Sequence, residues 1–377
     1  MWNRLKYLLI GPPLSTQDLK EARLNKVRAL ATFSPDALSS MAYANQEIYL
    51  GLIIAGSAGL ALSLPIGLTI VALLAILAMS YFQTVHAYPS GGGSYIVARE
   101  NLGTLPGLIA ASALLLDYLL TAAVSLTAGA AAIASAFPVL WPYQISIALA
   151  FLIIIALANL RGIRESGTFM ALPVYLFLGT YLAMIAYGTV RLIIEGPGSL
   201  ATVAPLPTEP LTAALVLHAF STGCTALTGT EAISNGVPAF QTPESKNAGK
   251  TLVVMALLMG VLFVGSIGLT QQFAVIAGPD ETILSALAHR VLGNGVAYFV
   301  IQISTMLILA VAVFILRIRV VILVVVVLGL CVILEMLNGK ILVELLIIIL
   351  AMELIVLEQL LVGIGVLSLT PLLLAIL

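Results

Sequence analysis

Three acidic residues stand inside apolar runs, and their neighbours decide what chemistry they could do. Asp36 lies in Ser34-Pro35-Asp36-Ala37-Leu38-Ser39-Ser40-Met41-Ala42-Tyr43, within the first long apolar segment. Asp117 is followed by Tyr118, Thr121 and Ser125, and the spacing of Asp117, Thr121 and Ser125 puts one carboxylate and two hydroxyls on a single helical stripe. Glu231 ends a second polar interruption, Ser221-Thr222-Gly223-Cys224-Thr225-Ala226-Leu227-Thr228-Gly229-Thr230-Glu231. A charge at bilayer depth is costly and is kept where it faces a cavity or a partner. Hydroxyl, carbonyl and carboxylate oxygens together suit a hard cation that has shed its water. Burial disfavours the charged form of a carboxyl, so Glu231 is a candidate proton carrier.

Each of these residues also has a plainer role open to it. Asp is a favoured N-cap, and Asp36 could cap the helix that resumes after Pro35. Thr121 and Ser125 could hydrogen-bond between helices, as hydroxyls commonly do in membranes. Glu231 could be a structural carboxylic acid bonded to freed backbone. Glu47 and His218 are weaker candidates, the first at a span's outer half and the second a lone histidine.

The elements that position these residues follow from composition. The chain has 377 residues, 61% of them hydrophobic and only 9% charged, with a mean hydropathy of +1.15. Such a chain is an all-α polytopic membrane protein. The net charge of -1 gives no sign of a nucleic-acid partner. Cys224 and Cys331 both lie in apolar runs, so no disulfide framework is expected. The first apolar segment carries Asp36, lacks a small-residue cleavage site and is too long for a signal peptide.

At about 20 residues per crossing, spans fall at roughly 29–56, 63–87, 104–135, 141–160, 168–194, 211–239, 250–275 and 283–315, with more near 318–337 and 341–374. Pro35 lacks an N–H and clashes with the preceding turn, so the first span should break there. Two interrupted, acid-bearing segments in corresponding halves point to a transporter's binding site. The draft places thirteen of the sixteen Lys and Arg on the side of the basic tail 1–28. That asymmetry puts the N-terminus in the cytoplasm. Tyr88-Pro89-Ser90-Gly91-Gly92-Gly93-Ser94-Tyr95 lacks the Gly-Lys-Ser/Thr of a phosphate loop and is read as a tight bend that lets helices approach. No Gly-x-Ser-x-Gly elbow, His-Glu-x-x-His or Cys–His pairing occurs, so an enzyme is not expected.

Together, the basic tail, Ser34-Pro35-Asp36-Ala37-Leu38-Ser39-Ser40, Tyr88-Pro89-Ser90-Gly91-Gly92-Gly93, Leu116-Asp117-Tyr118 and Leu227-Thr228-Gly229-Thr230-Glu231-Ala232-Ile233-Ser234-Asn235 resemble the amino acid–polyamine–organocation superfamily. Within it they are most similar to KimA-type bacterial high-affinity potassium–proton symporters. The resemblance implies a LeuT-like five-plus-five inverted repeat with broken helices 1 and 6, usually in a homodimer in the bacterial inner membrane. It implies potassium import by proton symport, with no cofactor beyond the transported ions. The potassium-site residues would be Asp36, Tyr43, Asp117, Tyr118, Thr121, Ser125 and Thr228, with Asp36 and Asp117 supplying carboxylates to the ion and Glu231 as the coupling acid. The transporter core would cover 29–312. The Leu/Ile/Val-rich stretch 313–377, which has no aromatic residue after Phe314, departs from the family and is expected to be truncated or altered. A proton-coupled amino acid or polyamine permease is the alternative. Asp36 at the break would repel a substrate carboxylate, whereas a cation would be attracted.

Overall fold

A computed structural model describes residues 23–160 and 167–315. The expectations for the tail 1–22, for Arg161 and Arg164, and for nearly all of 313–377 lie outside the described residues. The first span begins as α1 (Lys26–Phe33), capped by Asn25, whose side chain accepts from Arg28 N–H at 2.9 Å. Ser34 interrupts it, and α2 (Pro35–Ile53) follows with Pro35 in its first turn, where the missing N–H costs nothing. Next come α3 (Gly56–Leu60), α4 (Ser63–Ala87), α5 (Ser94–Leu102) and the 33-residue α6 (Thr104–Ala136). Then follow α7 (Gln144–Leu160), α8 (Gly167–Glu195) and α9 (Leu200–Val203).

The sixth drafted span is not one helix. It divides into α10 (Ala213–Gly223), a 3-10 turn (Cys224–Leu227), the single-turn α11 (Ala232–Asn235) and a second 3-10 turn (Val237–Ala239). The chain closes with α12 (Glu244–Gln272), α13 (Ile283–Leu292) and α14 (Val296–Ile315). The single span drafted over 283–315 is thus two helices. Gly293, at φ +71, ends α13, and Asn294-Gly295 continue the turn.

Among the described residues, six helices are long and apolar enough to cross a membrane: Gly56–Ala87, Thr104–Ala136, Pro138–Leu157, Met170–Glu195, Glu244–Gln272 and Val296–Phe314. The two interrupted segments, α1 with α2 and residues 213–239, are not among these six. The chain is a multi-pass membrane protein.

α2 is the central element, buried continuously from Pro35 to Asn45. It packs on α10, α12 and α14, while α4 lies along α12 and α6 along α14. Lipid tails are as apolar as leucine, so helices here associate through close packing and hydrogen bonds. Gly51 of α2 shows the first: a Cβ there would sit 3.0 Å from Ala219 Cβ on α10. The second is seen where Asn45 donates to Thr270 Oγ1 at 3.0 Å, joining α2 to α12, and where Thr180 and Ser304 pair at 2.9 Å, joining α8 to α14.

Charges collect at the two ends of this bundle. Arg191 and Arg290 converge on Glu195 near one end of α8. At the other end Arg23 pairs with Glu244 in the first turn of α12, where a carboxylate also complements the helix dipole. There Leu24 N–H donates to Ala239 O at 2.8 Å and Gln241 N–H to Leu24 O at 3.0 Å, which straps the start of α1 to the chain beyond α11.

Candidate functional site

The two interruptions meet. Gly229, at φ +76, lets the turn after Cys224–Leu227 press against the start of α2. A Cβ on Gly229 would lie 2.5 Å from Ala37 N and 2.9 Å from Asp36 Cγ. Any side chain would therefore push this turn off Asp36, and the positive φ is one that L-residues seldom adopt. Thr228 precedes it in extended conformation (φ -64, ψ 152). Thr228 and Glu231 thus occupy a turn rather than the helical i, i+3 relation their spacing suggests.

Asp36 is in the first turn of α2, but Ser34 holds the N-cap position and no side chain caps the helix. The capping role is therefore not Asp36's. Ser39 and Ser40 donate to Asp36 O at 2.8 Å and Ala37 O at 2.7 Å, so their hydroxyl protons are spent on the helix itself.

On α6 the expected stripe is present. Thr121 and Ser125 are buried and Asp117 is half-buried. Thr228 Oγ1 donates to Asp117 Oδ2 at 3.2 Å and lies 3.3 Å from Thr121 Oγ1. Since Thr228 has one hydroxyl proton and gives it to Asp117, Thr121 is the donor to Thr228. This relay joins α6 to the turn of the second interruption. Tyr43 on α2 reaches beside Ser125, and Tyr118 on α6 reaches beside Glu231.

Several of these polar groups are buried without a hydrogen-bond partner: Asp36 Oδ1, Ser125 Oγ, Thr225 Oγ1 and Glu231 Oε1. Asp36 and Glu231 are each only 5% exposed. A buried orphan of this kind costs about 1–3 kcal/mol, and more when charged, so each calls for a water or an ion. The carboxyls of Asp36, Asp117 and Glu231 lie within electrostatic range of one another. None of the ion pairs among the described residues involves them. Nor do three His, Cys, Asp or Glu side chains there converge tightly enough to hold a metal ion in common. The three acids are electrostatic neighbours rather than ligands of a single atom.

A cleft of about 400 Å³ beside them is lined by Leu77, Tyr81, Asp117, Cys224, Thr225, Leu227, Thr228, Thr230 and Glu231; of the expected site residues it takes in Asp117, Thr228 and Glu231, while Asp36, Tyr43, Tyr118, Thr121 and Ser125 are not in its lining. Tyr81, on α4, is not among the residues expected from sequence, although Ser80-Tyr81 and Gln83-Thr84 form a polar run in an otherwise apolar span. Thr225, Thr230 and Cys224 belong to the second interruption but are not expected site residues either.

The weaker candidates stand apart. His218 is exposed on α10, and Glu47 is half-buried on the later turns of α2. The Gly91–Gly93 connection is a bend, with Gly91 at φ +93, and it docks on α11: Gly92 N–H donates to Ser234 O at 3.2 Å and Ser234 Oγ to Gly92 O at 2.6 Å.

Comparison with known proteins adds the family to this geometry. The chain is 45% identical over 312 residues to the Potassium transporter KimA of Bacillus subtilis (strain 168), an alignment covering 82% of this chain and 51% of that protein. The chain therefore spans about half the length of the curated relative it matches. The amino acid permease family model matches residues 33–323, which takes in both interruptions and the α6 stripe between them. With most of its length matched, including every residue of the acid-lined space, the chain belongs to the amino acid permease family.

Proposed function

We propose that this chain imports potassium ions by proton symport. One observation carries the reading: Asp36 and Glu231 each keep a buried carboxyl oxygen without a hydrogen-bond partner, in electrostatic range of each other and of Asp117, and among the described residues no basic side chain pairs with them. Placing like charges together out of water is unfavourable unless a cation or a proton joins them. A substrate carboxylate would add a further negative charge. The similarity to a protein named as a potassium transporter supports the choice of cargo.

In this reading Asp36, Tyr43, Asp117, Tyr118, Thr121, Ser125 and Thr228 surround the potassium ion, and Glu231 carries the coupled proton. The architecture is a LeuT-like five-plus-five inverted repeat, with spans 1 and 6 broken at Ser34 and at 224–231. The core at 29–312 is followed by an atypical tail, the N-terminus faces the cytoplasm of a bacterial cell, and two copies form a homodimer in the inner membrane. Potassium and protons are cargo, and no cofactor or catalytic residue takes part. Potassium enters between spans 1, 3 and 6. A proton reaches Glu231 and lowers the cost of closing the site, and the rocking of one bundle of helices against the other releases both ions inside. The membrane potential assists by about 2.3 kcal/mol per charge per 100 mV.

The purified chain in proteoliposomes, energised by an inward proton gradient, tests this directly. Radioactive rubidium should accumulate, and excess potassium should compete with it. Uptake of ornithine or putrescine without rubidium would replace this reading with that of a proton-coupled amino acid or polyamine permease.

A further inference from the structure

α11 is a single turn of four residues that carries Glu231 at its leading end. So short a helix cannot hold its own orientation, so something else must place this acid. On one side Gly229 rests on Asp36 and Ala37. On the other, a two-bond clasp joins α11 to the glycine-rich bend: Ser234 Oγ donates to Gly92 O and Gly92 N–H donates to Ser234 O. Ser234 is wholly buried. The fit is close throughout. A Cβ on Gly91 would meet Asn235 O at 3.2 Å, and one on Gly93 would overlap the Asn235 side chain.

The same bend also reaches a cleft-lining residue of α4. Ser94, the residue after Gly93 and the first of α5, pairs its hydroxyl with that of Tyr81 at 3.3 Å. Tyr81 and Glu231 both line the cleft. One short connection thus grips two cleft-lining elements, α11 through Ser234 and α4 through Tyr81.

We infer that the Gly91–Ser94 bend is a positioning element for proton coupling: its clasp on Ser234 and its contact with Tyr81 hold Glu231 in a fixed place in the cleft lining. The groups facing Glu231 are Asp36 on α2, Asp117 and Tyr118 on α6, and Tyr81 on α4. The Gly92–Ser234 clasp touches none of them, and the bend meets only Tyr81, through Ser94, so its effect falls on the placement of the acid rather than on ion binding. This inference rests on the proposed symport, but it also predicts a change that needs no transport.

The test uses Ser234→Ala and Ser94→Ala in the full chain with Cys331→Ser, which leaves Cys224 in the cleft as the one thiol. Per folded molecule, Ser234→Ala should lower the maximal rate of proton-driven rubidium uptake about fivefold, the equivalent of one lost hydrogen bond, and leave the KM for rubidium within about twofold. Fewer protons should enter per rubidium. Reaction of Cys224 with N-ethylmaleimide should quicken severalfold as the cleft loosens, and Ser94→Ala should give the same changes in weaker form. If the parent chain takes up no rubidium, the symport reading fails, yet the labelling comparison still decides the clasp. Wild-type labelling in both variants, or a raised KM with an unchanged maximal rate, would overturn the inference.

Discussion

Replacing Gly229 by alanine tests whether the contact between the two interruptions forms the site. The new Cβ would lie 2.5 Å from Ala37 N and 2.9 Å from Asp36 Cγ. Ala37 is fully buried in the first turn of α2 and its backbone has little room to retreat. Two costs combine. Holding a non-glycine residue at φ +76 strains the backbone by about 1–3 kcal/mol. Forcing a methyl into a packed contact costs about 1–3 kcal/mol more. Gly293→Ala is a reference that carries backbone strain without crowding, because Gly293 has φ +71 and ψ -170 and nothing within 4 Å of its Cβ position.

Gly229→Ala should therefore be the more destabilised of the two by about 2 kcal/mol, read as a lower apparent melting temperature in detergent. If the turn instead relieves the overlap by moving away from Asp36, the same 2 kcal/mol appears as an approximately thirtyfold weaker apparent affinity for rubidium. Gly293→Ala should leave that affinity unchanged. Equal melting of the two variants, together with wild-type rubidium affinity in Gly229→Ala, would refute the idea that this contact builds the pocket.

Other substitutions probe single groups. Asp36→Asn should reduce rubidium uptake tenfold or more, since a contact to a charged group is worth about 1.5–3 kcal/mol; the half-buried Asp117 should show a smaller loss on change to Asn. Comparable uptake in either variant would remove that carboxylate from the ion's surroundings. Glu231→Gln should leave rubidium movement indifferent to the proton gradient, and a retained pH dependence would contradict its coupling role. Thr228→Val removes the middle of the Thr121–Thr228–Asp117 relay and should weaken rubidium binding about fivefold, as expected for one hydrogen bond; an unchanged KM would leave the relay with a purely structural part.

Much of the fold could be read from hydropathy because a membrane span needs its apolar length in one run. The 63–87, 104–135 and 168–194 drafts lie within two residues of α4, α6 and α8 at each end. Hydropathy fails where apolar character continues through a change of direction. Residues 283–315 are apolar almost throughout, yet Gly293 ends one helix and Val296 begins another. The Leu292-Gly293-Asn294-Gly295 stretch carried the turn signal, but the apolar run masked it. Periodicity misleads in a second way within the other interruption. Thr228 and Glu231 have helical spacing in sequence, but the left-handed Gly229 between them removes the helix that spacing presumes. The polar run around Tyr81 sets it apart in sequence, but only the fold brings it to Asp117 of α6 and to the 224–231 turn, more than thirty residues away.

The interruptions and the acids explain each other physically. An unbroken helix at either place would satisfy its own backbone and leave a carboxyl facing packed side chains. Under the proposed reading, the interruption at Ser34 and the turn at 224–231, which meet where Gly229 rests on Asp36 and Ala37, set Asp36 and Glu231 near each other, with Asp117 on α6 as the third acid. With no basic side chain paired to any of them among the described residues, the group is electrostatically incomplete. Either a cation or a proton can lower its energy, and each that enters reduces the repulsion felt by the other acids. Under the proposed symport, coupling therefore needs no separate wire between a potassium site and a proton site. Both ions act on one set of like charges, and the conformational change becomes favourable only once enough of that charge has been offset.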